Sequence, residues 1–262
     1  MQTLFCPQSQ TISYYRWQRF PAERLYDEIL LCDAFHSMIR SLSCALAEAS
    51  SSVDLLRSRF AGFLGDVTLT DGKLKEDADN LTSEGVLLRP DPVKACYRMS
   101  SPLVDGLIRN QLIPARFPNA PLSPLPLQRT GDVDILGILV GSVRFFDKAH
   151  ILYASFLSYK TPKVEIRDPG DVPRESVYNT ELTRILANWL RKYGWSVNCQ
   201  WHLEDDLKRQ YSDIVLKKDC LTVVLVLLAT GEPSSVESHI WKAPEYAALF
   251  SANEAWVVHF TR

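Results

Sequence analysis

The stretch at residues 212–230, SDIVLKKDCLTVVLVLLAT, leaves this chain few ways to fold. From Leu221 onward it is apolar or β-branched at nearly every position, without polar and apolar residues alternating. A strand of that kind needs cover on both faces, which places it inside a sheet with a helix above and another below. The neighbouring segments supply both. Ahead of it, YSDIVLK reads as a strand, and WSVNCQWHL alternates as another. Before these, Tyr178, Leu182, Ile185, Leu186, Trp189 and Leu190 form one face of a helix that Gly194 stops. After it, a helix is expected over 235–250, and AWVVHFT closes as a strand. The order α-β-β-β-α-β predicts a mixed sheet flanked by helices in an α+β chain.

The N-terminal half reads differently. Leu25, Ile29, Leu30, Phe35, Ile39, Leu42 and Leu46 recur at three and four over 21–50, and shorter helices are expected over 53–63 and 72–83. Two short β-like runs around an Asp-Pro turn follow, and Ser101-Pro102 opens another helix. Helices, a hairpin and a helix are the order of a winged-helix unit, expected here over 1–113. Five prolines between 114 and 126 remove backbone donors, so 114–130 reads as a linker. The remainder, 131–262, is expected to carry the sheet, led by one or two largely buried helices over 131–158.

Composition narrows the chemistry. With 262 residues, 46% of them hydrophobic, the chain can bury a sizeable core, and its net charge of -2 lacks the basic excess of a nucleic-acid coat. No run approaches the roughly 18 apolar residues of a membrane span, and the first residues show no export signal. A soluble chain is the expectation. Its six cysteines never pair as CxxC and its five histidines show no HxxxH spacing, so a metal, if bound, would be a hard ion held by carboxylates.

The strings ESVYNTELTRILANWL, QWHL, YSDIVLKK, VVLVLLATGE and SHIWKAPEYAALFSANEAWVVHFT carry a resemblance to Crinkler-type proteins of filamentous microbes. There, an NTPase module, a winged-helix unit and a nuclease-like domain of the restriction-endonuclease, or PD-(D/E)XK, superfamily follow one another. YRMSSPLVDGLI is similar to the winged-helix end of that NTPase portion. The resemblance implies a helix Glu at Glu181, a strand-start Asp at Asp213, an intracellular effector addressed to a nucleus, and DNA as the partner. Two departures stand out. No GxxxxGK[ST] is present, so no nucleotide is expected to be hydrolysed. Where the superfamily has ExK, this chain has Val226 and, two residues on and therefore on the same strand face, Leu228.

Phosphodiester hydrolysis needs a hydroxide nucleophile and neutralisation of charge on the phosphoryl oxygens, and Mg²⁺ between carboxylates supplies both. Asp213 and Glu181 are the expected metal-facing acids. Val226 and Leu228 can neither bind the ion nor orient water, so replacements are sought in Lys217 or Lys218, of which only one can face inward, and in His202, with Glu237 and His239 as a further possibility. The segment 159–262 carries thirteen Lys plus Arg against fourteen Asp plus Glu. Its positive charge is nevertheless clustered in doublets, Arg191-Lys192, Lys208-Arg209 and Lys217-Lys218, which a folded sheet could gather onto one DNA-facing rim. Two functions stand. One is a protein that binds DNA and cuts it with a divalent metal. The other is a catalytically silent nuclease-fold module that docks on a protein partner or on a second copy of itself.

Overall fold

In the computed structural model, residues 5–6, 11–12, 25–43, 47–155, 173–199, 214–229 and 233–261 are described. A two-stranded ladder of β1 (Phe5–Cys6) and β2 (Thr11–Ile12) precedes the helices α1 (Leu25–Leu30), α2 (Asp33–Leu42) and α3 (Ala47–Leu55), the last running into a π-helical turn at Leu56–Phe60. Then come β3 (Val67–Thr68), α4 (Gly72–Ser83), and the hairpin β4 (Leu87–Asp91) and β5 (Cys96–Met99). These strands form an antiparallel sheet in the order β3-β5-β4. The next helix, α5 (Pro102–Leu107), starts with Ser101 accepting from the Val104 N–H and proline in the first turn, as its sequence predicts. It passes through a second π-helical turn, Ile108–Leu112, into α6 (Ile113–Arg116). Tyr26, Val53, Phe60, Leu81, Tyr97, Leu107 and Ile113 belong to the core of this half.

The second half begins with α7 (Ile135–Val143) and α8 (Lys148–Ser155) and continues with the long helix α9 (Glu175–Leu190). Three antiparallel strands follow, β6 (Ser196–Cys199), β7 (Ile214–Lys218) and β8 (Leu221–Ala229). A helix, α10 (Pro233–Phe250), then crosses to β9 (Glu254–Phe260), which pairs parallel with β8. The sheet order is β6-β7-β8-β9. This is the mixed sheet that the apolar run at 221–229 demands. Val223, Leu225 and Leu227 pack on one face with Leu182, Ile185 and Leu186 of α9. Val224 and Val226 pack on the other with Ala243 and Phe250 of α10. Asn253 ties the start of β9 to β8 by bonding both the N–H and the carbonyl of Thr222.

Two expectations change. The proline-rich segment is not a free linker where it meets α9: Ala120 is buried, and the carbonyls of Pro114, Phe117, Asn119 and Ser123 accept hydrogen bonds from Asn188, Arg184 and Trp189. Prolines remove donors but leave acceptors, so such a stretch binds well to a helix face that carries side-chain donors. Helix α7 is also less buried than expected, because Leu136, Val140 and Val143 are 54, 50 and 44% exposed on one stripe. Among the described residues, no helix is long and apolar enough to cross a membrane.

The halves meet along buried polar groups. Asp105 accepts from the Gly62 N–H and from Arg109, and Arg109 donates onward to Asn179 of α9. Asn110 donates to the Cys199 sulfur and accepts from the Cys199 N–H. Gly62 has a φ of +73°, and a Cβ there would also strike Ser176 of α9. Gly106 lies so close to Tyr26 that a Cβ would overlap its ring and hydroxyl. Gly106→Ala is therefore expected to lower stability by about 1–3 kcal/mol through overpacking, read as an earlier urea midpoint with an unchanged m-value. An unchanged midpoint would mean that Tyr26 moves aside freely.

Candidate functional site

The residues expected to carry metal chemistry separate into those the sheet positions and one it does not. Ile214 pairs with Leu225, and Lys217 with Thr222. Val226 and Leu228 therefore share the α10 face with Val215 and Lys217, while Lys218 turns to the opposite face. Both aliphatic side chains are buried, Val226 to 1% exposure and Leu228 to 5%. Lys217 stands across from Thr222, six residues before Leu228, which is about 20 Å along a strand. A lysine side chain does not bridge that span, so neither Lys217 nor Lys218 fills the position at Leu228. Asp213, His202, Lys208 and Arg209 lie outside the described residues.

Glu181 is described in full, and both of its carboxylate oxygens are engaged by donors. It sits in the second turn of α9 with its side chain fully buried. One carboxylate oxygen accepts from Arg57 Nη2 at 2.6 Å and Nε at 3.1 Å, and from Arg184 Nε at 3.3 Å. The other accepts from Arg184 Nη2 at 2.9 Å and from the Asp147 N–H at 3.2 Å. Arg184 is brought there by its i,i+3 spacing on α9, and Arg57 by the π-helical turn after α3. Burial alone would push the Glu181 carboxyl up, but the Arg184 hydrogen bonds and the Arg57 charge outweigh it and hold the group below its ordinary range. For Glu181 to act as the expected metal-facing acid, a divalent ion would have to displace two guanidiniums from a dry site.

The cluster extends to Asp147 and His150. Arg57 Nη2 also donates to Asp147 at 3.1 Å, and its guanidinium lies 4.2 Å from the centre of the Phe117 ring. Asp147 caps α8 through the His150 N–H. Burial, and next the Arg57 charge, push the His150 imidazole down to about 4, so it is neutral at physiological pH. These partners were not found from the sequence, although one signal existed. Arg57 lies four residues after Val53 and three before Phe60, on the buried stripe of its helix, and a charge on such a stripe demands a partner.

Of the expected DNA-facing residues, Arg191 is held inward. Pro114 has no N–H for the carbonyl of Asn110, and Arg191 Nη2 donates to that oxygen at 2.7 Å instead. Lys192 is exposed beside the Tyr193 ring. No group of three or more His, Cys, Asp or Glu suited to a metal occurs among the described residues. No family model, no curated protein and no solved structure matches this chain.

Two outcomes follow from the cluster. Arg57→Met, which strands a buried carboxylate, should cost about 3–5 kcal/mol in urea unfolding, whereas Lys192→Ala should stay within about 0.5 kcal/mol. His150 stays neutral when folded but takes a proton near its ordinary 6.5 when unfolded, so stability should fall as pH drops from 6.5 toward 4. Below the ordinary 4.5 of Glu181, its depressed carboxyl adds a further loss. His150→Leu should flatten the first part of this profile and leave the second, as measured by midpoint against pH.

Proposed function

We propose that the C-terminal half is a restriction-endonuclease-like frame that no longer cuts, and that the chain acts as a protein-interaction module. The carrying observation is the engagement of Glu181 by Arg57 and Arg184, together with apolar packing at Val226 and Leu228. The order of α9, β6, β7, β8, α10 and β9, and the likeness of these segments to Crinkler-type proteins, support the frame. A three-stranded sheet made of β3 and the β4–β5 hairpin, set among helices, supports a winged-helix reading of the first half.

A protein partner fits the surface better than DNA does. Helix α4 carries Glu76, Asp77 and Asp79 against Lys73 and Lys75. On the hairpin, Arg89 is paired with Asp79, and Lys94 with Asp91. Arg191 is bonded to backbone carbonyls. Each of these weakens the local positive potential that phosphate binding needs. The exposed stripe Leu136, Val140 and Val143 on α7 instead offers apolar area of the kind protein contacts bury.

A plasmid-cleavage assay with Mg²⁺ or Mn²⁺, run beside Asp213→Ala and with a gel shift of the same DNA in EDTA, tests this. The expected result is neither cutting nor a shift, with association measured by light scattering or pull-down lost on Val140→Asp. Cutting that disappears in Asp213→Ala would overturn the proposal in favour of a rebuilt nuclease. A shift that weakens steeply with salt would overturn it in favour of DNA binding.

A further inference from the structure

The three-stranded and four-stranded sheets end in edges at β3, β4, β6 and β9, and the first three are guarded against a further strand. An open edge presents N–H and C=O groups that template pairing with another chain, and proteins blunt it with short strands, proline, charge, bulges or covering side chains. β3 is only two residues long. β4 carries Arg89 and Pro90, and its register with β5 shifts between Leu88 and Asp91. At β6, the Val197 carbonyl accepts from Arg191 and the Cys199 N–H donates to Asn110, so side chains of other elements cap that edge.

β9 carries none of these devices. Its seven residues, EAWVVHF, include no lysine, arginine or proline, and they pair with β8 without a register shift. No strand lies beyond it among the described residues. The side chains show the same imbalance. Trp256 and Val258 lie opposite Leu225 and Leu227 on the α9 face, with Phe260 in the same row. Leu225 and Leu227 are fully buried, whereas Trp256, Val258 and Phe260 stay partly exposed at the edge.

The helix on the other face is apolar on the matching side. Ala243 and Phe250 fix the buried face of α10, and helical spacing turns Ile240 and Pro244 to one flank of it. A right-handed crossover from β8 to β9 sets that flank over the outer side of β9. Ile240 is 55% exposed there, and Trp241, farther round the helix, 71%.

We infer that β9 is a dimerisation edge, along which two copies of this chain pair antiparallel about a two-fold axis and join their four-stranded sheets into one. This names the partner of the interaction module proposed above and rests on that reading. A second copy is the occupant that the strand itself selects. With the axis at Val258, Trp256 stands against Phe260 of the second copy, Val257 against His259 and Ala255 against Thr261, so the aromatic residues of both copies form one layer on the α9 face. With the axis at Val257, the Glu254 carboxylate would instead stand against Phe260. The two-fold axis uses up both open edges, so association stops at two copies.

Sedimentation equilibrium of the full chain over a range of concentrations tests the inference, with reductant present because Cys32 and Cys220 are exposed. The mass should rise toward twice that of one chain. Ala255→Lys with Thr261→Lys sets lysine opposite lysine twice across the axis and should weaken the dimer about tenfold or more. Ala255→Lys with Thr261→Glu sets opposite charges at the same places and should recover it. Both positions are exposed in the single chain, so these variants keep the fold. Amide hydrogen exchange gives a second readout: the alternate β9 N–H groups turned away from β8 should gain protection as concentration rises. A chain that is monomeric at every concentration would overturn the inference, whatever the cleavage and gel-shift assays show. A dimer that the two lysines leave intact and Val140→Asp dissolves would overturn it as well, while keeping the interaction reading. Equal weakening by both double variants would overturn the antiparallel register.

Discussion

The carboxylate of Glu181 has no route to water, and the arrangement of both halves around it follows from that constraint. A buried, unpaired carboxylate is costly enough that the chain must bring cations to it, and two guanidiniums are more than one charge requires. The excess is balanced by Asp147, so the group of Arg57, Arg184, Glu181 and Asp147 is neutral as a whole. Arg184 completes the arrangement with hydrogen bonds to the carbonyls of Phe117, Asn119 and Phe145. One side chain of α9 thereby holds the proline-rich segment, the end of α7 and the acid. Arg57 adds the helices of the first half.

This pairing also bears on whether Glu181 can hold a metal. A carboxylate saturated by N–H donors has no lone pair left for Mg²⁺, and the ion would bring its own tightly held water into a dry space. On the opposite face of the sheet, Val226 belongs to the apolar layer under α10 and Leu228 is buried, so a Glu and a Lys at these positions would be held away from water. The strand β8 is buried along nearly its whole length.

Much of the fold was legible because periodicity reports burial. The unbroken apolar run predicted a fully buried strand, and β8 is buried, antiparallel to β7 on one side and parallel to β9 on the other. Alternation placed Val226 and Leu228 on one face, and the unbroken pairing of β8 with β9 through both residues keeps that alternation. Caps were readable too, as Ser101 and Gly194 show, because their causes lie within a few residues. The role of Glu181 was not readable. The family resemblance paired it with Asp213 on a shared ion, but its partner Arg57 is 124 residues away in sequence. A helix acid beside an apolar face looks the same whether it awaits a metal or a guanidinium.

The same limit applies to positive charge. Arg191 stands in a basic doublet and reads as a surface residue, yet its position is dictated by a proline on another helix. Pro114 leaves the Asn110 carbonyl without its helical donor, and a buried acceptor must be satisfied from elsewhere. Arg191 supplies that bond across 81 residues, while Asn110 uses its side chain to hold Cys199. A defect in one helix thus becomes a tie between two halves of the chain. Counting basic residues overstates the charge available to a ligand here, because a guanidinium with a structural task is withdrawn from the surface potential that a phosphate would sense.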